Sequence, residues 1–397
     1  MENLSKFYID GVWSQPNSGA TMPVLNPATE RQVGVVALGN AADVDAAVAA
    51  ASRAFASYSQ TTKAERLVFL GRLLKVTEAR FEDLAQAMSM EMGAPISMAR
   101  DAHADAAVGH LQGFIEALGQ LQERESLTSG DIQLREPIGV CGLITPWNWP
   151  MNQIALKVIP ALATGCTCVL KPSEHTPISA MIYAEIIHEA GFPAGVFNLV
   201  QGDGHTVGAA MSRHCDIQMM SFTGSTRAGT AVTRDAADTV KRVTLELGGK
   251  SPNLVFADCD LQDRVTAAVG DCMYNTGQSC DAPTRLLVER SCYDVAVEIA
   301  KRAADATQVG DPTQEGDHIG PLFDRIQFDR VQAMIAVGID EGATVLAGGL
   351  GKPEGITDGW FVKPTVFTDV SNSMRISQEE IFGPVLVIIP FDTEAEA

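Results

Sequence analysis

The chain predicts an α/β fold built from two doubly wound domains, each a largely parallel sheet with helices on both faces. Three observations carry that reading. Between residues 139 and 247, short apolar β-rich runs alternate with amphipathic helical stretches at the spacing of crossover units. Just past Gly248-Gly249 the same rhythm restarts, which puts a second domain near Lys250. The 397 residues, 46% hydrophobic and 20% charged, supply enough apolar material for more than one core.

Taken in order, residues 7–13 (FYIDGVW) read as strand, tight turn and strand, and Asn26-Pro27 opens a turn before a short strand at 32–36. Apolar residues then recur at helical spacing over 43–56 and 64–90, including Leu67, Leu70, Leu73, Leu74 and Val76, so this is a helical layer. An Ala-rich helix at 101–121 extends it. Its His103 and His110 stand seven apart, where a helical metal pair needs three or four, and they are expected to be solvated. A strand at 139–144 leads into Thr145-Pro146-Trp147-Asn148-Trp149-Pro150, a turn that cannot be helix, and then into a helix at 151–163. The strand at 166–170 ends in Lys171-Pro172-Ser173-Glu174. A helix at 177–190 follows, with Thr176 as expected N-cap, Pro177 in its first turn and Gly191 past its end. Strands at 197–200, 219–223 and 243–247 run into Gly202-Asp203-Gly204, Gly224-Ser225 and Gly248-Gly249. The second half reads as strand 253–256, helix 261–274, a polar loop, strand 285–288, helices 293–306 and 326–341, and strands 344–347 and 365–368. Thr393 to Glu396 has the pattern of a helix start with no helix behind it, so the C-terminus reads as an interruption.

The formal charge of −20, from 29 basic and 49 acidic residues, argues against a nucleic-acid partner, which needs a basic surface. The longest weakly polar run, 158–170, contains Pro160 and Gly165 and is too short to span a bilayer. The start, MENLSKFYIDG, lacks the layout of a signal peptide. A cytoplasmic protein without a membrane partner is expected. Eight cysteines include no CxxC pair, and Cys166 and Cys168 lie in an apolar strand where buried reduced thiols are ordinary, so no metal site is expected.

Ligands of open parallel sheets bind beyond the carboxyl ends of the strands, and each polar cluster above falls at such an end. Cys280, in YNTGQSCDAPT, is the one cysteine in a segment too rich in turn residues to be packed helix or central strand. Its thiolate would be a strong nucleophile. No histidine lies close in sequence, the nearest downstream being His318, and a cysteine of this kind on its own is more readily a plain loop thiol. Glu246, at the end of the fifth strand of the first domain, could serve as general base for water or thiol; alone it would be a solvated acid. Asn148 could donate its side-chain amide to a developing oxyanion, worth roughly 3 kcal/mol to a transition state, or could satisfy its own turn. Lys171 and Glu174 could bind a polyol such as a ribose, the carboxylate repelling a 2′-phosphate. The run from Gly202 to Gly208 resembles a dinucleotide fingerprint, but its third glycine comes one residue late and it follows the third strand. Gly249-Lys250-Ser251 hints at a P-loop, yet Thr244 stands where glycine is required.

Together TPWNWP, KPSE, SFTGSTRAG, LELGGKSP, GQSC and EEIFGPV, in this order and spacing, resemble the aldehyde dehydrogenase superfamily, from the first strands to Ala397. The resemblance implies NAD-dependent oxidation of a small-molecule aldehyde. Cys280 would attack the carbonyl, Asn148 and the Cys280 N–H would hold the oxyanion, and Glu246 would activate water against the thioester. The acid at Glu246 places the chain in the hydrolytic branch. Lys171 and Glu174 would bind the adenosine ribose, Gly204 would lie near the adenine, Ser225 would face the pyrophosphate, and Glu380 and Phe382 would meet the nicotinamide ribose and ring. Ile144, Thr145, Pro146, Trp147, Ser173, Phe222, Thr223, Gly224, Gly229, Leu247 and Gly248 complete the implied cofactor contacts. Trp149, Gln153, Leu156 and Asp281 would line the substrate entrance, and Asp281 favours a neutral or cationic aldehyde. The implied layout is a dinucleotide-binding domain of residues 1–125 and 137–248, a bridging β element at 126–136 and a catalytic domain at 249–397. Members continue past EEIFGPV and form homodimers or homotetramers. Two other readings stay open: an incomplete or non-catalytic cofactor-binding scaffold, and a thiol hydrolase without nucleotide.

Overall fold

In the computed structural model, which describes residues 3–397, the backbone divides into two units. The first runs to Val24 and takes in Gln32–Glu91 and Ala99–Leu247. Its sheet contains β1 (Phe7–Ile9) and β2 (Val12–Ser14); two further strands, β3 (Thr21–Leu25) and β4 (Gln32–Ala37), pair apart from it, as do β5 (Arg124–Ser126) and β6 (Ile132–Leu134). The sheet is completed by β7 (Val140–Ile144), β8 (Thr167–Lys171), β9 (Phe197–Leu199), β10 (Met219–Gly224) and β11 (Arg242–Leu247), in the order β11-β10-β7-β8-β9-β1-β2. From β11 to β9 every pairing is parallel, while β1 joins β9 antiparallel. The central β7 and β8 are buried at every position, as strands covered by helices on both faces must be, whereas the edge strand β11 alternates exposed with half-buried. Val140, Val169, Met220 and Phe222 pack with Val44, Ala47 and Val48 of the helix Ala41–Tyr58.

The helical layer differs from expectation in several places, each with a physical cause. The stretch expected at 64–90 is two helices, Lys63–Ala79 and Phe81–Met92, because Arg80 leaves the helical region at φ −104°, ψ 15°. Before the helix Asp105–Gln120 the chain makes a wider turn over Ala99–Ala104, and His103 there is fully buried with its ring stacked on Trp149 at 4.2 Å, not solvated. His110 is half-buried and hydrogen bonds Asn152 at 2.8 Å. Thr176 precedes the helix Pro177–Glu189 as expected, but its side chain makes no cap bond. The cap comes from Glu91, a distant, buried carboxylate that accepts from the N–H of Ile178 (2.6 Å), the N–H of Ser179 (3.0 Å) and the Ser179 hydroxyl (2.5 Å).

The second unit comprises Leu25–Arg31, Met92–Met98 and Gly248–Ala397. Its sheet has β12 (Pro252–Val255), β13 (Arg285–Glu289), β14 (Thr344–Ala347), β15 (Thr365–Thr368) and β16 (Val385–Phe391), in the order β12-β13-β16-β15-β14, parallel except for β14. The strand β16 is not among those expected from the sequence, and it is the middle of the sheet, with Pro390 next to its last residue. The two short N-terminal segments belong here because their backbones bond into it. Trp360 donates to the Pro27 carbonyl (3.1 Å) and Ile96 to that of Pro312 (2.8 Å). Leu286, Val288, Val366, Leu386 and Ile388 form a core with the helices Leu261–Met273 and Tyr293–Ala306. Among the described residues no helix is long and apolar enough to cross a membrane.

Burial pushes the Glu91 carboxyl up to about 7 from its ordinary 4.5, against the three donors it accepts from. The folded chain therefore keeps a proton there that the unfolded chain releases. This site's contribution to stability is full below pH 4.5 and is lost as pH rises through 7. In Tm measured against pH, the parent chain is expected to lose several degrees relative to Glu91→Gln across that window; parallel profiles would contradict it.

Candidate functional site

In the first unit the parallel register brings four strand ends into line. Thr223 of β10 lies beside Glu246 of β11, Phe222 beside Ile144 of β7, and Ile144 beside Lys171 of β8. Thr145 continues β7 by donating its N–H to the Lys171 carbonyl at 3.2 Å. The Thr145 and Thr223 hydroxyls at this edge are buried and have no hydrogen-bond partner. A buried hydroxyl without a partner is disfavoured by roughly 1–3 kcal/mol, so this strand end carries two polar groups that the chain itself leaves unpaired. Ile144 is buried, Pro146 and Trp147 are half-buried, and Asn148, 4% exposed, sits in the bend before the helix Pro150–Ala163.

Trp149, just before that helix, and Gln153 within it are half-buried, and Leu156, three residues further on, is 40% exposed. One turn beyond Gln153 is Lys157, which the sequence reading missed. Lys157 is buried, donates to the Ser221 hydroxyl at 3.0 Å, and is drawn toward its charged form by Glu246 while burial lowers it to about 8. Its signal was available, since it is the only charged residue in PMNQIALKVIPALA.

Lys171 donates to the carbonyls of Pro172 (2.8 Å) and Gly202 (2.7 Å) and to Glu174 (3.1 Å), which uses all three of its N–H groups and ties the end of β8 to the loop after β9. Ser173 is buried and accepts from the His175 N–H. After Gly202 the chain makes a wide turn, the Gly208 N–H reaching back five residues to the Asp203 carbonyl, which is why the third glycine of the fingerprint comes late. A Cβ on Gly204 would meet nothing within 4 Å, so this side of the turn is open. Ser225 caps the helix Thr226–Ala237, its hydroxyl accepting from the Ala228 N–H at 3.3 Å. Gly229 and Leu247 are packing partners, a Cβ on the glycine falling 2.9 Å from the leucine side chain, and Gly224 lies similarly against the Phe222 ring.

The second unit holds the thiol. Asn275, Thr276 and Gly277 are three successive left-handed residues (φ 52°, 58° and 69°), two of them not glycine, at a cost of order 1 kcal/mol or more each. Gln278, fully buried, holds them. It donates from its side chain to the Asn275 carbonyl (3.2 Å) and accepts from the Phe323 N–H (3.0 Å), while Thr276 donates to the Gly320 carbonyl (3.1 Å). Cys280 emerges from this turn half-buried, with Asp281 exposed beside it; all eight cysteines are thiols. The segment Glu380-Ile381-Phe382 is pinned by one helix, Arg325–Asp340. Gln327 donates to the carbonyls of Ile381 (3.1 Å) and Phe382 (2.7 Å), and Arg330 to that of Glu380 (2.7 Å). The Glu380 carboxylate lies over Gly248, where a Cβ would stand 2.1 Å from Oε1.

A sequence model described as the aldehyde dehydrogenase family matches residues 13–397. A Pseudomonas protein named 3-succinoylsemialdehyde-pyridine dehydrogenase is 49% identical over 398 residues, covering 100% of this chain and 83% of the relative. The structure of an aldehyde dehydrogenase from Bartonella henselae superimposes with TM-score 0.97 at 51% identity, over 98% of this chain and 83% of that one. A mutant aldehyde dehydrogenase C from Pseudomonas syringae, complexed with NAD+ and octanal, does so with TM-score 0.98 at 50% identity, over 100% and 81%.

A Cβ on Gly277 would fall 2.1 Å from the Gly383 carbonyl oxygen, in addition to the left-handed φ. Gly277→Ala is expected to destabilise the second unit by about 3 kcal/mol in urea unfolding and to change the rate at which iodoacetamide labels the Cys280 peptide. An unchanged midpoint and rate would show that the loop does not depend on this contact.

Proposed function

The chain belongs to the aldehyde dehydrogenase family and oxidises aldehydes with NAD, and we propose that Cys280, Glu246 and Asn148 carry the reaction. Cys280 attacks as thiolate and forms the C–S bond. The oxyanion that results accepts from the Asn148 amide and the Cys280 N–H. NAD, when bound, would supply the hydride acceptor. With the hydride gone the carbon is a thioester; Glu246 takes a proton from water, the hydroxide adds, the C–S bond breaks and the carboxylic acid leaves. Lys157, buried beside Glu246, gives that carboxylate a fixed cationic neighbour. The observation that carries the assignment is the strained turn before Cys280, where buried Gln278 and two left-handed non-glycine residues present one thiol.

The residues present fit a dinucleotide. The partnerless Thr145 and Thr223 hydroxyls, the open face of Gly204 and the capped helix after Ser225 offer hydroxyl, adenine and pyrophosphate contacts. Ile144, Pro146, Trp147, Ser173, Phe222, Gly224, Leu247 and Gly248 border them, with Glu380 and Phe382 assigned to the nicotinamide ribose and ring. Because Lys171 has its donors engaged in the protein, Glu174 is the group that meets the adenosine ribose. The hairpin of β5 and β6 is exposed throughout, Ile132 and Leu134 included, which supports a place in an intersubunit sheet of a homo-oligomer.

Cys280→Ala is expected to abolish NADH formation. Glu246→Gln should keep a rapid first turnover and lose about 100-fold in the steady state; an undiminished steady-state rate would remove its role as base. The exposed Asp281 disfavours substrates bearing a carboxylate. An aldehyde panel read at 340 nm should give octanal a higher rate than succinic semialdehyde, and the reverse order would defeat this substrate reading.

A further inference from the structure

Two groups of opposite charge interact in the second unit, Lys250 and Glu380, and each has one buried polar atom without a hydrogen-bond partner. The Lys250 ammonium is buried without a hydrogen-bond partner, and so is Oε1 of Glu380. The residues between them explain the arrangement. Gly248 carries no side chain where the carboxylate sits, since a Cβ there would stand 2.1 Å from Oε1 and 2.4 Å from Oε2. Gly249 gives the carboxylate a backbone N–H, and Lys250 gives it positive charge. Gly-Gly-Lys is thus a cradle for one carboxylate: room, a donor and a cation from three consecutive residues. The Glu380 backbone is fixed independently by Arg330.

We propose that Lys250 is a positioning residue for the dinucleotide, holding the Glu380 carboxylate over Gly248 as an anion whose Oε1 is presented to the hydroxyls of the nicotinamide ribose. The inference rests on the assignment of Glu380 to that ribose. The charged and titratable groups around the pair are few. Burial raises Glu380, and Arg330 and Lys250 oppose that rise together with the Gly249 N–H. Burial lowers Lys250 to about 8, with Arg285 acting in the same direction and Cys272 and Glu380 opposing it. Arg285 is itself engaged, donating to the Lys250 carbonyl (2.9 Å) and to Asn372 (2.9 Å). The Cys272 thiol is pushed up to about 12 by burial and is neutral at working pH. The signs follow. Below its shifted range Glu380 gains a proton and stops accepting from a diol; above about 8 Lys250 loses its charge and the cradle weakens. Affinity for NAD should therefore be greatest between these limits and fall on both sides.

The test is NAD affinity of the full chain by titration calorimetry from pH 5.5 to 9.5, for the parent chain, Lys250→Arg, Lys250→Met and Glu380→Gln. The parent is expected to weaken above about pH 8. Lys250→Arg, which stays charged, should bind as well and lose the alkaline decline. Lys250→Met should bind about tenfold more weakly, with its acidic decline moved to higher pH. If Glu380→Gln binds NAD like the parent, the ribose assignment itself fails. If Glu380→Gln weakens binding while Lys250→Arg keeps the alkaline decline, the assignment stands and the positioning role of Lys250 is overturned. A uniform loss in Lys250→Met without a change in pH profile also overturns it, by showing a structural role only. Should Lys250→Met not fold, the Lys250→Arg profile alone decides.

Discussion

The first unit depends on parallel strands ending in phase. Because β11, β10, β7 and β8 are neighbours with matched registers, Glu246, Thr223, Thr145 and Lys171 reach one edge of the sheet although they are scattered over a hundred residues of chain. A one-residue slip in any of these pairings would turn a side chain to the opposite face. The full burial of β7 and β8 is what makes such a slip prohibitive, since it would require repacking against helices on both sides. The helix that follows β7 then sets Asn148 at its start and Lys157 two turns along, so one crossover supplies both an amide donor and the cation beside Glu246.

In the second unit the positions that matter are glycines under backbone or carboxylate. Gly277 faces the Gly383 carbonyl and Gly248 faces Glu380, each at a distance no Cβ could occupy. The left-handed turn before Cys280 is unfavourable by itself and persists because Gln278 and Thr276 tie it to the 320–323 segment. These contacts keep a thiol on a rigid loop. If Cys280 is the nucleophile proposed above, such a placement limits the entropy lost when substrate binds.

Much of this was legible in the sequence, because period and punctuation are local properties. The alternation of strand and helix, the turn at Thr145 to Pro150 and the loop around Cys280 follow from spacing and turn residues alone. What escaped depends on distant partners. Glu91 caps a helix 87 residues away in place of Thr176, and nothing near Pro177 signals it. His103 is buried because Trp149 covers it, not because of its own helix. The strand β16 went unread, and the brevity of segments 25–31 and 92–98 hid that they belong to the second unit. Lys157 and Lys250 are the residues a closer reading could have found, one as a lone charge in an apolar helix, the other as the third member of a glycine-rich turn.

The central claim is that Cys280 bonds to the carbonyl carbon of the substrate. Rapid acid quench of the chain during turnover with NAD and octanal, followed by peptide mass spectrometry, tests it directly. The account predicts an octanoyl thioester on the Cys280 peptide that forms only when NAD is present. Acylation of another cysteine, or turnover with no acyl group on Cys280 at any quench time, would contradict it.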